Sequence, residues 1–139
     1  MEFLITELSK QSYNEITDFF EYIIQGVQTK WEIIKKYPYI YEFLISAVKE
    51  QEKEIKEYIV AKSIDKTKDT WNEIILKSDK NKFKNPDDID KIANLLRYYS
   101  NGLMKEFMET KTTNIEVHRE KFLNIISMLK ENFYKEEYL

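Results

Sequence analysis

The chain contains no cysteine, which excludes a disulfide framework, a thiolate metal site and a cysteine nucleophile, and fits a reducing compartment. Two glycines and two prolines among 139 residues leave no glycine-rich loop that could cradle a phosphate, so nucleotide chemistry is disfavoured. Strand-type alternation is missing throughout. The longest apolar stretch, around Phe43 to Val48, is far short of the roughly 20 residues a membrane span needs. The opening MEFLITELSK lacks the basic start, apolar core and small-residue cleavage site of an export signal. The expectation is therefore a cytoplasmic chain with no membrane partner. Net charge is −3, with lysines and glutamates interleaved as on a solvated helical surface, so no basic field attracts a phosphate backbone.

What the chain does have is 42% apolar, 34% charged and 14% aromatic residues, arranged at helical spacing, the profile of an all-helical fold with a real core. Phe3, Leu4 and Leu8 suggest a short N-terminal helix. Ser12 and Glu15 match a capping box, predicting a new helix from Tyr13. Ile16, Phe20, Ile23, Val27, Trp31 and Ile34 then keep one face apolar until Tyr37, where Pro38 disfavours helical geometry in the residue before it. Pro38 suits the first position of the next helix, whose stripe is Ile40, Phe43, Leu44, Ala47 and Val48. The charged segment from Lys49 to Lys62 is expected to bury Ile55, Tyr58 and Ile59. Helical phase then continues through Trp71 to Ile74 or Ile75, leaving open a break near Glu50 or near Ser63.

KSDKNKFKN, residues 77–85, reads as a solvated turn, because only Phe83 interleaves its lysines. Asn85 can cap the helix that follows, Pro86 fits its first position, and Asp87 and Asp88 complement its positive end. Its main stripe is Ile89, Ile92, Leu96, Tyr99, Leu103 and Phe107; Leu95, Tyr98 and Met108 widen that stripe beyond the needs of one neighbouring helix. KTTN breaks the pattern after Thr110, and a last helix runs from about Ile115 with Phe122, Ile125, Ile126, Leu129 and Phe133 inward. The reading is one domain over residues 1–139, an all-α antiparallel bundle of five to six helices.

Chemistry is sparse. His118, the one histidine, falls on the apolar phase with Phe122 and Ile125, where packing or an interface suits it better than catalysis. A di-metal bundle would place a glutamate three residues before it, and Ile115 stands there. The pairs Asp87/Asp88 and Glu136/Glu137 are explained by capping and solvation. We expect no catalytic residue, no metal and no cofactor. Aromatics in excess point instead to an apolar pocket between helices, oriented by a few tyrosine hydroxyls and indole N–H groups.

DFFEYIIQGVQTKWEIIKKYPYIYEFLISAVKE, a charged helix, IDKIANLLRYYSNGLMKEF and a closing amphipathic helix together resemble the C-terminal effector-binding and dimerisation region of TetR/AcrR-type transcriptional regulators. The resemblance covers nearly the whole chain. It implies a homodimer, built on the last two helices of each copy, that senses a small apolar or aromatic effector. Too few residues precede Tyr13 for the family's three-helix DNA-reading domain, so DNA is expected to be reached only through a domain this chain lacks. The implied pocket would draw on Phe20, Ile23, Val27 and Trp31, with Phe43, Ile59 and Trp71, and with Tyr98 and Tyr99. The implied dimer face would draw on Leu95, Gly102, Leu103 and Phe107 from the penultimate helix and on His118, Phe122, Ile126, Leu129 and Phe133 from the last. A ligand-free helical interaction module, with its aromatics merely core, is the alternative.

Gly102 is conspicuous within that scheme. A glycine inside a helix costs about 1 kcal/mol relative to alanine, and its place at the edge of the stripe suggests that a second backbone or a bulky aromatic comes close.

Overall fold

A computed structural model describes residues 15–39, 43, 46, 52–109 and 114–139, without the side chains of 56, 59, 60, 63–67, 104 and 107–109. Four α-helices are bounded: α1 (Phe19–Lys36), α2 (Lys53–Lys77), α3 (Asp88–Glu109) and α4 (Ile115–Phe133). Residues 38, 39, 43 and 46 are helical too. Single 3₁₀ turns follow α2 at Lys80–Lys82 and α4 at Glu136–Tyr138. The protein is an all-α bundle, and its one β-type pairing among the described residues is the bridge between Phe83 and Tyr134.

Contacts between helices fix their directions. Phe20 meets Tyr134 with ring centroids 4.8 Å apart, while farther along α1 Trp31 meets Arg119, so α1 and α4 are antiparallel. The Lys84 N–H donates to the Phe133 carbonyl at 2.9 Å and Glu106 lies opposite Lys121, so α3 and α4 are antiparallel as well. The Asp79 N–H donates to the Thr17 carbonyl at 2.7 Å, bringing the end of α2 to the start of α1. The starts of α1 and α3 and the ends of α2 and α4 therefore gather at one end of the bundle.

That end is sealed by rings. Phe19, Phe20, Phe83 and Tyr134 are all fully buried, with neighbouring centroids 4.8 to 5.8 Å apart and mostly edge-to-face. Such pairs add about 0.5–1.5 kcal/mol each beyond the area they bury. Ile23, Ile74, Ile89, Ile92, Leu96, Ile126 and Leu129 continue the core along the bundle.

Asp18 locks the same end. Its Oδ1 accepts from the Glu21 N–H at 3.0 Å and from the Tyr134 hydroxyl at 3.1 Å, and its Oδ2 accepts from Lys82 Nζ at 2.9 Å. Burial alone would raise the Asp18 carboxyl, but the Glu21 N–H, the Lys82 ammonium and the Tyr134 hydroxyl outweigh it and hold the group below its ordinary range. Burial and the adjacent Asp18 charge push the Tyr134 hydroxyl far up, so it stays a donor.

Several expectations change. The first long helix begins after Asp18 rather than at Tyr13: Glu15 is in a turn, residues 16–18 are not helical, and Asp18 holds the cap. Ser12 lies outside the described residues, as do Phe3, Leu4, Leu8, Thr110 and most of the segment after Tyr39. The charged helix starts after Glu52 and passes Ser63 without a break. Ile55 and Tyr58 are not buried; they are 44% and 64% exposed. On the side of α1 the reason is length: α2 has 25 residues against 18 in α1, so at 1.5 Å per residue it extends about 10 Å past α1. The last helix begins at Ile115, as its pattern requires; ahead of α3 Asn85 accepts the Asp87 N–H, the capping bond expected of it, while Pro86 and Asp87 form a turn and the helix is continuous from Asp88.

The lysine-rich turn is also different from a solvated one. Phe83 fills the aromatic cluster, Lys82 pairs with Asp18 and stands 5.5 Å from the Tyr138 ring centroid, and the Lys135 N–H donates to the Lys82 carbonyl. The turn closes the sealed end.

Candidate functional site

Two places outside the aromatic cluster combine rings and charge contributed by two different helices. Between α3 and α4 lies an open groove of about 430 Å³ bordered by Tyr98, Tyr99, Gly102, Leu103, Glu106 and Lys121. Helical spacing on α3 puts Tyr98, Tyr99, Gly102 and Glu106 along one side, while Lys121 reaches across from α4 to Glu106 at 3.5 Å. Tyr99 stacks on Phe122 beneath the groove, with centroids 6.3 Å apart. Tyr98 faces outward, 65% exposed, and carries the Arg97 guanidinium 4.8 Å from its ring centroid. Gly102 leaves the groove open where it borders it, since a Cβ there would meet nothing within 4 Å. Among the described residues no group makes the close approach expected at Gly102.

The second place is the seam of α1 and α4. Trp31, half-buried, carries the Arg119 guanidinium 5.6 Å from its ring centroid. Arg119 Nε is out of solvent and has no hydrogen-bond partner. His118 beside it is half-buried, with Nδ1 3.3 Å from the Asn114 carbonyl oxygen.

The residues expected to line one pocket are scattered. Phe20 and Ile23 sit inside the solid core, and Val27 and Trp71 pack against it. Phe43 is 70% exposed. Only Tyr98 and Tyr99 of the set border the groove, Trp31 belongs to the α1–α4 seam, and the side chain of Ile59 lies outside the described residues.

The residues expected at a dimer face divide in the same way. Phe122, Ile126 and Leu129 are buried within this chain, and Phe133 and Leu103 are half-buried against its core. Leu95, at 51%, and Gly102 face outward. His118 is half-buried, and the Phe107 side chain lies outside the described residues.

Sequence reasoning passed over Glu106, Lys121 and Arg119. Glu106 and Lys121 carry no sequence signal, since each is one charge among many on a polar face. Arg119 does carry one: it stands three residues before Phe122 and seven before Ile126, a charge at the head of the inward stripe.

Among the described residues no group of three or more histidine and acidic side chains could hold a metal, and no helix is long and apolar enough to cross a membrane. Comparison with protein-family models, with curated proteins and with solved structures gives no match.

Proposed function

We propose that the chain is a ligand-binding and self-associating helical module of the kind that forms the C-terminal half of TetR-like transcriptional regulators, responding to a small molecule with an apolar or aromatic body. The observation that carries this reading is the outward face of the α3–α4 hairpin. Leu95, Tyr98 and Val117 are exposed there beside the open groove at Gly102, more apolar surface than the hairpin needs for its own chain and a natural seat for a second copy. In such a module an effector acts only through a difference in affinity between two arrangements of the helices, so its site belongs at a seam between helices rather than in a solid core. The α1–α4 seam at Trp31 meets that requirement.

Two measurements test the reading. Light scattering on the purified chain at micromolar concentration should give a dimer, and a clean monomer removes the self-association half. Thermal unfolding against a library of aromatic compounds should find ligands that raise the melting temperature, because binding to the folded state stabilises it by mass action. Finding none removes the sensing half.

A ligand-free interaction module is the second reading. The packing of Phe20 and Ile23 favours it, since both are consumed by the core. A dimer that no compound stabilises would select it.

A further inference from the structure

Helix α4 turns residues 119, 122, 126, 129 and 133 toward its neighbours. The last four are Phe122, Ile126, Leu129 and Phe133, all buried or half-buried in the core. The one at the head of the stripe is Arg119, whose guanidinium lies over Trp31 of α1.

An arginine in that position is costly. Its guanidinium stays charged at any physiological pH, and a donor taken out of water and left without an acceptor destabilises the fold. Arg119 Nε is such a donor, and none of the ion pairs among the described residues involves Arg119. Buried donors of this kind call for an explanation, and a bound acceptor is one.

The geometry indicates what that acceptor would be. A guanidinium uses its faces for aromatic rings and its edges for oxyanions, so the indole of Trp31 and a carboxylate do not compete for it. A single cation, with its buried Nε–H unmet and its other edge N–H groups beside it, matches a monoanion better than a phosphate dianion. Toward the aromatic cluster, one turn from Trp31 and one turn from Arg119, stand Val27 and Phe122, which continue the seam as an apolar lining.

We propose that Arg119 and Trp31 anchor a binding site between α1 and α4 for a small aromatic carboxylate, with the carboxylate on the Arg119 edge and the ring system beside Trp31. This rests on the ligand-binding reading above and adds the charge and orientation of the ligand. An effector held there would tie α4 to α1 at the end of the bundle away from the aromatic cluster.

The test uses 4-phenylbutyrate and its neutral amide, 4-phenylbutyramide, as probes. Affinities come from calorimetry, and location from the fluorescence of Trp31 in a Trp71→Phe background, since the chain has only two tryptophans. The carboxylate should bind about tenfold more tightly than the amide and shift the Trp31 emission, as a charge-assisted bidentate pair implies. Arg119→Met keeps the apolar stem over Trp31, so the fold should stand while the preference for the carboxylate disappears. Arg119→Lys keeps the charge without the planar fork and should lose most of that preference.

Equal affinity for the two probes, or a preference that survives Arg119→Met, overturns the anchor and leaves the ligand-binding reading standing. Binding of neither probe overturns the anchor too, and the ligand-binding reading falls with it only if the aromatic library also finds nothing.

Discussion

The two ends of the bundle are built on different terms. At one end four helix termini converge on Phe19, Phe20, Phe83 and Tyr134, all fully buried, under a polar clasp in which Asp18 holds Lys82 and Tyr134. At the other, α2 overhangs α1, and Tyr39, Phe43, Ile55 and Tyr58 stand exposed among the described residues. The difference teaches where stability resides. Buried rings that touch one another, mostly edge-to-face, hold the fold together and cannot open to a ligand without losing it. Large apolar side chains in water contribute little to folding, and their removal leaves the fold standing.

The sharpest way to break this contrast is to remove one ring from each end. Phe83→Ala deletes a side chain that touches Phe19, Phe20 and Tyr134, and should cost about 3–5 kcal/mol in urea unfolding. Phe43→Ala and Tyr58→Ala at the other end should each change stability by less than about 0.5 kcal/mol. Similar losses at both ends would mean that the exposed rings are held in a second core.

Asp18→Ala comes next. It removes the cap on α1 and strands the Lys82 ammonium, at 23% side-chain exposure, so a loss of about 2–4 kcal/mol is expected. Its signature is in pH. Because the folded Asp18 carboxyl lies below its unfolded value, its contribution is complete above the ordinary aspartate range near about 3.9 and is lost as pH falls through the folded value. The difference in stability between the wild type and Asp18→Ala should therefore be constant near neutrality and shrink on acidification below about pH 4. A difference that grows in acid would reverse the assignment.

Tyr134→Phe is subtler. It keeps the ring in the aromatic cluster and deletes the hydroxyl that donates to Asp18, so about 1 kcal/mol should be lost. Losses from Asp18→Ala and Tyr134→Phe should fall short of additive when combined, because the residues share one bond.

How much of this was legible in the sequence depends on whether a local pattern carried it. The inward stripes of α3 and α4, the end of α1 before Pro38 and the start of α4 at Ile115 follow from helical spacing and from the residues that break it. The sealed end does not, because it joins residues 64 and 116 positions apart, and nothing near Lys82 in a lysine-rich turn announces a partner at Asp18. Ile55 and Tyr58 misled for a related reason: periodicity tells which face could be buried, and only the lengths of neighbouring helices decide whether anything covers it. The candidate pocket was assembled from aromatics on several stripes, and tertiary packing sorted them into core, groove and exposed surface. Arg119 could have been found, since a charge on the inward phase of an apolar helix is a local signal.

The smallest predicted change returns to Gly102. Since a Cβ there meets nothing within 4 Å, Gly102→Ala should stabilise the folded monomer by about 0.5–1 kcal/mol through helix propensity alone. Gly102→Leu keeps the propensity gain and fills the floor of the groove, so it separates fold from assembly. If a second copy seats its helix there, Gly102→Leu should weaken the dimer in light scattering by about tenfold or more while urea unfolding of the monomer improves. A dimer unaffected by Gly102→Leu would move the contact elsewhere on α3 and α4 and leave Gly102 a surface residue without a structural demand on it.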